Sequence, residues 1–345
     1  MRLAVVLFNL GGPDSIASVE PFLRNLFSDP AIIPLPGWLR KPLAARIARR
    51  RAPIAQDIYR RLGGRSPLLD ETCAQAASLE KSLRHRGTEA KVFVAMRAWH
   101  PRSDEAVQLV ADYAPDTTVL VPLYPQFSTT TSASSLDDWR RAARSAGLSA
   151  LERRVCCYPW DSGFVNAIAE LLRGTLARRR ADIRYRVLFS AHGLPRRTVA
   201  RGDPYPWHVQ RTAEAVVGAL PAERFDWIVC YQSRVGPLKW LEPSTDLELR
   251  RAGTEGLGAI VVPVSFVSEH SETLVELDMD YAKLAAECGV RDYLRVPTVR
   301  TKQAFVDGLA ELVLRSAQSA APVTCGSGRI CPAQFARCGI RKMAA

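Results

Sequence analysis

Eight short runs rich in Val, Ile and Leu, spaced by longer amphipathic stretches, constrain this chain more than any other feature. The runs fall at 2–10, 90–96, 117–125, 153–159, 184–193, 226–233, 258–267 and 292–297, and a further helical pattern covers 302–317. A strand–helix–strand rhythm of this kind builds parallel sheets covered by helices on both faces. The predicted class is therefore α/β.

The eight runs also repeat. Val6–Pro13 resembles Val187–Pro195 at an offset of 181, and Val121–Ser128 resembles Val262–Glu269 at an offset of 141. Two similar four-stranded halves follow, with the first carrying 40 extra residues between its first and third strands. Residues 29–66 are their natural home. That stretch opens with Pro30, Ile32, Ile33, Leu35, Trp38 and Leu39 and continues with Arg40, Lys41, Arg46, Arg49, Arg50 and Arg51. Apolar and Trp-bearing residues followed by a basic helix are the makeup of an element lying on an anionic membrane surface; a solvated basic helix with a Pro-rich loop has the same makeup. The expected organisation is a first lobe over 1–150, a second over 151–317 and a C-terminal extension over 318–345, with a cleft between the lobes.

Charge narrows the partners. The 345 residues hold 47 Lys plus Arg against 35 Asp plus Glu, a net charge of +12. Such a balance favours an anionic partner: nucleic acid, an anionic membrane or a carboxylate-bearing ligand. The basic residues lie in short scattered clusters with no recognised nucleic-acid motif, which sets nucleic acid aside. No apolar run reaches the roughly 18–20 residues that span a bilayer, since the longest, Gly258 to Val267, is interrupted by Pro263. The start of the chain lacks a basic segment and cleavage site of secretory type. A cytoplasmic protein is expected, in contact at most with the inner face of the membrane, and its eight Cys are expected to be thiols or metal ligands.

In parallel sheets ligands bind beyond the carboxyl ends of strands, so the residues leaving each strand carry the function. Asn9-Leu10-Gly11-Gly12-Pro13 is a Gly-rich turn without the spacing of a dinucleotide fingerprint, and no Walker-type Gly-Lys-Ser/Thr occurs. Tyr124-Pro125-Gln126-Phe127-Ser128 runs into seven hydroxyl or small residues, 129–135, that cap a helix or bind an anion. His192 leaves the fifth strand beside Gly193, placed for general base work, metal ligation or a core hydrogen bond. Tyr205 and Trp207, and Tyr231 with Arg234 and Trp240, are aromatic and cationic loop residues suited to a flat carboxylate-bearing ligand.

After the seventh strand, an α-helix from about 271 is expected. Its apolar stripe is Leu274, Leu277, Tyr281 and Leu284, and its other side stacks Glu272, Glu276 and Asp280. Like charges so stacked repel, so on a basic protein the column reads as a path for protons or cations, with carboxyl pKa values driven apart. Three Cys fall in the tail, Cys325, Cys331 and Cys338, where no periodic apolar pattern exists. A metal or iron–sulfur cluster is a plausible organiser, with Cys156 or Cys157 as the fourth ligand; four-thiolate Zn is the chemical alternative.

Six of these motifs, taken in order over residues 4 to about 315, together resemble the ferrochelatases. They are Asn9–Pro13, Tyr124–Ser128, Ser190–Pro195, Arg201–Pro206, Tyr231–Pro237 with Trp240, and Ser268–Leu274 with Glu276–Asp278. The resemblance implies two Rossmann-like lobes and insertion of Fe²⁺ into protoporphyrin IX, the last step of haem synthesis. It implies His192 and Glu272 as the pair that binds iron or takes protons, and Glu276 and Asp280 as members of an acidic helix. Leu10, Tyr124, Ser128, Tyr205 and Trp240 become candidate porphyrin contacts, and 30–52 a lip over the pocket that meets the membrane. The tail resembles the extension that carries a two-iron two-sulfur cluster in animal and some bacterial members, although its spacing departs from the animal one. A homodimer is compatible with this reading. Alternatives are a chelatase for coproporphyrin or cobalt, and a non-catalytic tetrapyrrole-binding protein.

Overall fold

The computed structural model describes residues 2–234, 236 and 238–340. All eight expected strands form. β1 (Leu3–Asn9), β2 (Ala90–Met96), β3 (Thr117–Pro122) and β4 (Leu151–Cys157) make a parallel sheet in the order β2-β1-β3-β4. β5 (Tyr185–His192), β6 (Asp226–Gln232), β7 (Gly258–Pro263) and β8 (Tyr293–Arg295) make another in the order β6-β5-β7-β8. The two orders are the same, which carries the internal repeat to the level of topology. Register refines it: Phe8 stands opposite Pro122 and Ser190 opposite Pro263, so the first strands correspond at an offset of 182, one more than the Phe-on-Phe match gives.

One departure concerns the first sheet, which has five strands. The tail adds β9 (Val323–Thr324) in parallel beside β4. Every residue of β1, β3 and β7 is buried, as expected of central parallel strands covered on both faces.

The helices between strands are α1 (Val19–Phe27), α2 (Gly37–Arg61), α3 (Leu68–His85), α4 (Ser103–Tyr113), α5 (Ser132–Ser145), α6 (Ser162–Leu176), α7 (Arg196–Ala200), α8 (Tyr205–Gly218), α9 (Thr245–Thr254), α10 (Ala282–Glu287) and α11 (Gln303–Gln318). At the register offsets of 182 and 141 the surplus becomes 41 residues, and α2 lies wholly within 29–66, the stretch expected to hold it. Its buried face is Ala44, Ala48, Ala52 and Tyr59, and of these Ala48 and Tyr59 cluster with Phe22 and Leu23 of α1. Its outer face carries Trp38, which is 74% exposed, with Leu39, Leu43 and Ile54 exposed and Lys41, Arg46, Arg49 and Arg50 beside them.

Two compact units divide the chain. The first takes the residues up to Cys157 together with Leu309–Ile330 and a short piece from Gly339; the second takes Tyr158–Gly308 with Cys331–Cys338. The first is cored by Ala4, Val6, Phe8, Phe93 and Leu120, with Trp139 edge-on to Phe8 at 5.8 Å. The second is cored by Leu188, Leu249, Val261, Leu277 and Ala285.

Candidate active site

In the second unit β5 delivers His192 at its carboxyl end, and the segment after β7 delivers its partner. That segment is not the expected α-helix: Glu272–Tyr281 is a π-helix, continued by α10. A π-turn holds more residues than an α-turn and rotates each successive side chain less, a device found often at functional sites. Thr273, Val275 and Leu277 point inward; of the expected apolar stripe Leu277, Tyr281 and Leu284 join the core cluster and Leu274 does not.

His192 Nδ1 lies 2.9 Å from Glu272 Oε2. Burial disfavours the charged form of His192, but the Glu272 carboxylate facing it outweighs that and raises its pKa above the usual value. Burial likewise pushes Glu272 up, and the His192 charge overcomes this and holds its carboxyl well below the usual range. An ionised Glu272 can only accept, so Nδ1 carries the proton and Nε2 presents the lone pair. The Glu272 backbone amide donates to His270 Nδ1 at 3.0 Å, so that nitrogen is the acceptor and the proton of neutral His270 sits on Nε2.

Glu276 lies on the same helix and has the opposite tendency. Burial and the Glu272 charge raise its pKa. It is held from four sides: by the Ser233 amide (2.9 Å), the Ser233 hydroxyl (2.5 Å), Gln232 Nε2 (3.1 Å) and the Tyr281 hydroxyl (3.3 Å). Gln232 also donates to the Glu272 carbonyl at 3.2 Å and accepts from the Ser190 hydroxyl at 2.8 Å. Two neighbouring carboxyl groups, one held ionised and one ready to take a proton, form an acid–base pair. Asp280, the third member of the expected column, is exposed.

The motif residues take different places. The Tyr205 hydroxyl donates to the His192 carbonyl at 3.0 Å, and the Ser265 hydroxyl accepts from the His192 amide at 3.1 Å, so the backbone of His192 is clamped on both sides. Trp240 pairs with Pro195 across an antiparallel bridge, and its buried indole N–H has no partner among the described residues. Gly193 is required there, since a Cβ would stand 2.9 Å from the Gln232 carbonyl and 3.4 Å from the Trp240 ring. Arg196, Arg234, Leu238, Lys239, Trp240 and Glu242 line a cavity of about 360 Å³.

In the first unit Leu10 leaves β1 and packs beside Trp99 on the cluster of Val19, Phe22 and Tyr59. Burial raises the pKa of the Tyr124 phenol. Ser128 is buried, and its hydroxyl meets that of Thr130 at 3.0 Å, building the turn into α5.

The tail thiols divide between the units. In the first, Cys156 and Cys157 are buried against Phe127, and the Cys325 amide donates to the Cys157 carbonyl at 3.2 Å. In the second, Cys331 and Cys338 are buried, with Cys331 Sγ 3.2 Å from His208 Nε2. Among the described residues no three His, Cys, Asp or Glu side chains gather into a metal-holding group.

Gln232, Ser233, Ser265 and Tyr281 are the site residues that sequence reasoning missed as partners of the His–Glu pair. Ser233 has φ +61°, a left-handed conformation that turns its amide and hydroxyl onto Glu276; the one sequence signal that Gln232 and Ser233 belong to the site is their position at the carboxyl end of β6.

A family model described as ferrochelatase matches residues 2–317. The chain is 53% identical to the ferrochelatase of Phenylobacterium zucineum over 343 residues, covering 99% of this chain and 98% of that one. It is 50% identical to that of Caulobacter vibrioides over 345 residues, with the same coverages. Identity to the ferrochelatase of Pelagibacter ubique is 43% over 342 residues, 98% of each chain. Among solved structures, the sirohydrochlorin chelatase SirB from Bacillus subtilis subspecies spizizenii in complex with cobalt aligns with a TM-score of 0.55 at 12% identity, covering 92% of this chain and 96% of that one. At that identity the likeness speaks for the fold. The motifs, the whole-length relatives and the match over 2–317 agree that the chain belongs to the ferrochelatase family.

Proposed function

We propose that this chain inserts Fe²⁺ into protoporphyrin IX to form protohaem, with His192 as the proton acceptor. The observation that carries the reading is the 2.9 Å contact between His192 Nδ1 and an ionised Glu272, beside a Glu276 whose pKa is raised. Metallation removes two pyrrole N–H protons. In this reading His192 Nε2 accepts them one after the other, Glu272 stabilises the imidazolium formed each time, and Glu276 takes each proton onward before the next is accepted; exposed Asp280 is their exit to solvent. His192 and Glu272 also offer two donors to the incoming Fe²⁺, few enough for an ion that is handed on. Binding a bent macrocycle better than the flat one exposes the pyrrole lone pairs and lowers the barrier. Leu10, Tyr124 and Ser128 of the first unit and Trp240 of the second stay proposed porphyrin contacts, with the Trp240 N–H available to a ligand, and Tyr205 is assigned to holding the His192 backbone.

The exposed Trp38, Leu39, Leu43 and Ile54 beside four cationic side chains support peripheral contact of α2 with an anionic bilayer, and a cytoplasmic protein at the inner face of the membrane is part of the proposal. No helix among the described residues is long and apolar enough to cross a membrane. A homodimer stays part of the proposal.

The tail is proposed to hold a two-iron two-sulfur cluster on Cys325, Cys331, Cys338 and either Cys156 or Cys157. The donor chemistry fits: all are thiols, four of the five are buried, and β9 fastens the tail to the strand that bears Cys156 and Cys157. Gly339, directly after Cys338, packs where a Cβ would stand 2.7 Å from Cys156 Sγ. When bound, such a cluster supplies one-electron redox capacity and cross-links the tail. The fit rests on donor type and burial.

Anaerobic assay of Fe²⁺ insertion with protoporphyrin and coproporphyrin side by side tests the proposal. Faster turnover of protoporphyrin is expected. Preference for coproporphyrin or for Co²⁺ moves the chain to another chelatase activity, and tight porphyrin binding without turnover marks a binding protein.

A further inference from the structure

His208 lies outside the site described above. It is wholly buried near the start of α8, and its Nε2 meets Cys331 Sγ at 3.2 Å. Cys331 opens a tail segment, 331–338, that is seated on the same stretch of chain. The Arg337 amide donates to the Gly202 carbonyl at 3.1 Å, and a Cβ at Gly202 would stand 2.9 Å from the Ala336 nitrogen. The Phe335 ring packs 5.9 Å from Trp207, which is itself edge-on to Trp160 at 5.6 Å. Residues 202–208 therefore receive the tail segment through backbone, ring and sulfur contacts.

The same stretch supports the base. Tyr205, three residues before His208 and so one helical turn away on the same side, donates its hydroxyl to the His192 carbonyl at 3.0 Å. The first turn of α8 is thus held by the tail through His208 and holds His192 through Tyr205. Misplacing a reacting group by a fraction of an ångström is enough to cost turnover.

We propose that His208 is a positioning residue: by holding the Cys331 sulfur it seats segment 331–338 on the first turn of α8, and that turn fixes His192 through the Tyr205 hydroxyl. The proposal rests on His192 being the proton acceptor. It gives the tail a task at the site that is independent of redox chemistry. If Cys331 is a thiolate, as it is in a cluster, the imidazole N–H is the donor and the contact persists.

The test uses the full chain with Zn²⁺ as the air-stable probe metal and protoporphyrin as acceptor. Four variants are compared: His208→Ala, His208→Gln, Tyr205→Phe and Tyr205→Phe/His208→Ala. Backbone hydrogen exchange is read over 202–208 and 331–338. His208→Ala is expected to raise exchange in both segments and lower kcat roughly fivefold, with KM for porphyrin unchanged. His208→Gln, which keeps an N–H donor, recovers most of both. In the Tyr205→Phe background His208→Ala costs nothing further, because the link it acts through is already cut. Effects that multiply, or faster exchange at 331–338 with kcat unchanged, overturn the proposal. If His208→Ala does not fold, Gly202→Ala displaces the tail from the other side and replaces it in the cycle. Full activity in His192→Ala would instead remove the reading on which the proposal stands.

Discussion

Glu272→Gln keeps the side-chain shape and removes the charge that faces His192 at 2.9 Å. The size of the effect follows from exposure. Opposite unit charges about 4 Å apart interact by roughly 4 kcal/mol near a protein surface and roughly 1 kcal/mol in water. The His192 side chain is 39% exposed and that of Glu272 30%, so the screened end of this range applies, about 1 kcal/mol or a little under one pH unit. With the carboxylate gone, desolvation still opposes the imidazolium and only the Glu276 charge favours it, so the His192 pKa falls. A base works unprotonated, so the acid limb of kcat moves to lower pH by about one unit while the plateau drops. Stability moves with it. A raised His pKa stabilises the fold below the unfolded value of 6.5 and ceases to as pH rises through the folded value. The lowered Glu272 pKa stabilises above 4.5 and ceases to as pH falls toward the folded value. Both contributions are full only between these limits, so the loss of Tm in Glu272→Gln is larger near about pH 5.5 than near about pH 8.5. Rate profiles and thermal melts across this range check the reasoning. An acid limb that stays put or moves upward, or a Tm difference independent of pH, refutes it.

Gly193→Ala forces a Cβ within 2.9 Å of the Gln232 carbonyl and against Trp240; it lowers stability by about 1–3 kcal/mol in denaturant titration and raises KM for porphyrin more than it lowers kcat. Freshly purified protein shows visible iron–sulfur charge-transfer absorption with matching iron and acid-labile sulfide, which Cys325→Ser abolishes; a colourless Zn-containing protein rejects the cluster. Trp38→Ala combined with Arg49→Ala and Arg50→Ala weakens sedimentation with phosphatidylserine vesicles and leaves turnover of detergent-dispersed porphyrin unchanged; undiminished vesicle binding rules α2 out as the contact.

The fold was legible because parallel strands buried on both faces leave unmistakable runs such as Leu3–Asn9 and Gly258–Pro263. β9 was not, since a two-residue strand, Val323–Thr324, buries too little to impose a pattern and forms only because β4 offers it an edge. His192 and Glu272 were legible from their places after β5 and β7. The π-helix was hidden, because acidic residues four apart fit either helix and the backbone hydrogen bonds decide between them. The partners of Glu276 were hidden for a different reason: Ser233 acts through a left-handed backbone, and nothing in Gln232-Ser233-Arg234 announces that φ. Nothing in the sequence singles out His208, since its contact is with Cys331, 123 residues later in the chain.

The central claim is that His192 takes the pyrrole protons. Anaerobic Fe²⁺ insertion into protoporphyrin by His192→Ala, measured beside porphyrin binding by fluorescence quenching, tests it most directly. Binding close to that of the parent protein with insertion abolished is the predicted result; insertion at the parent rate contradicts it.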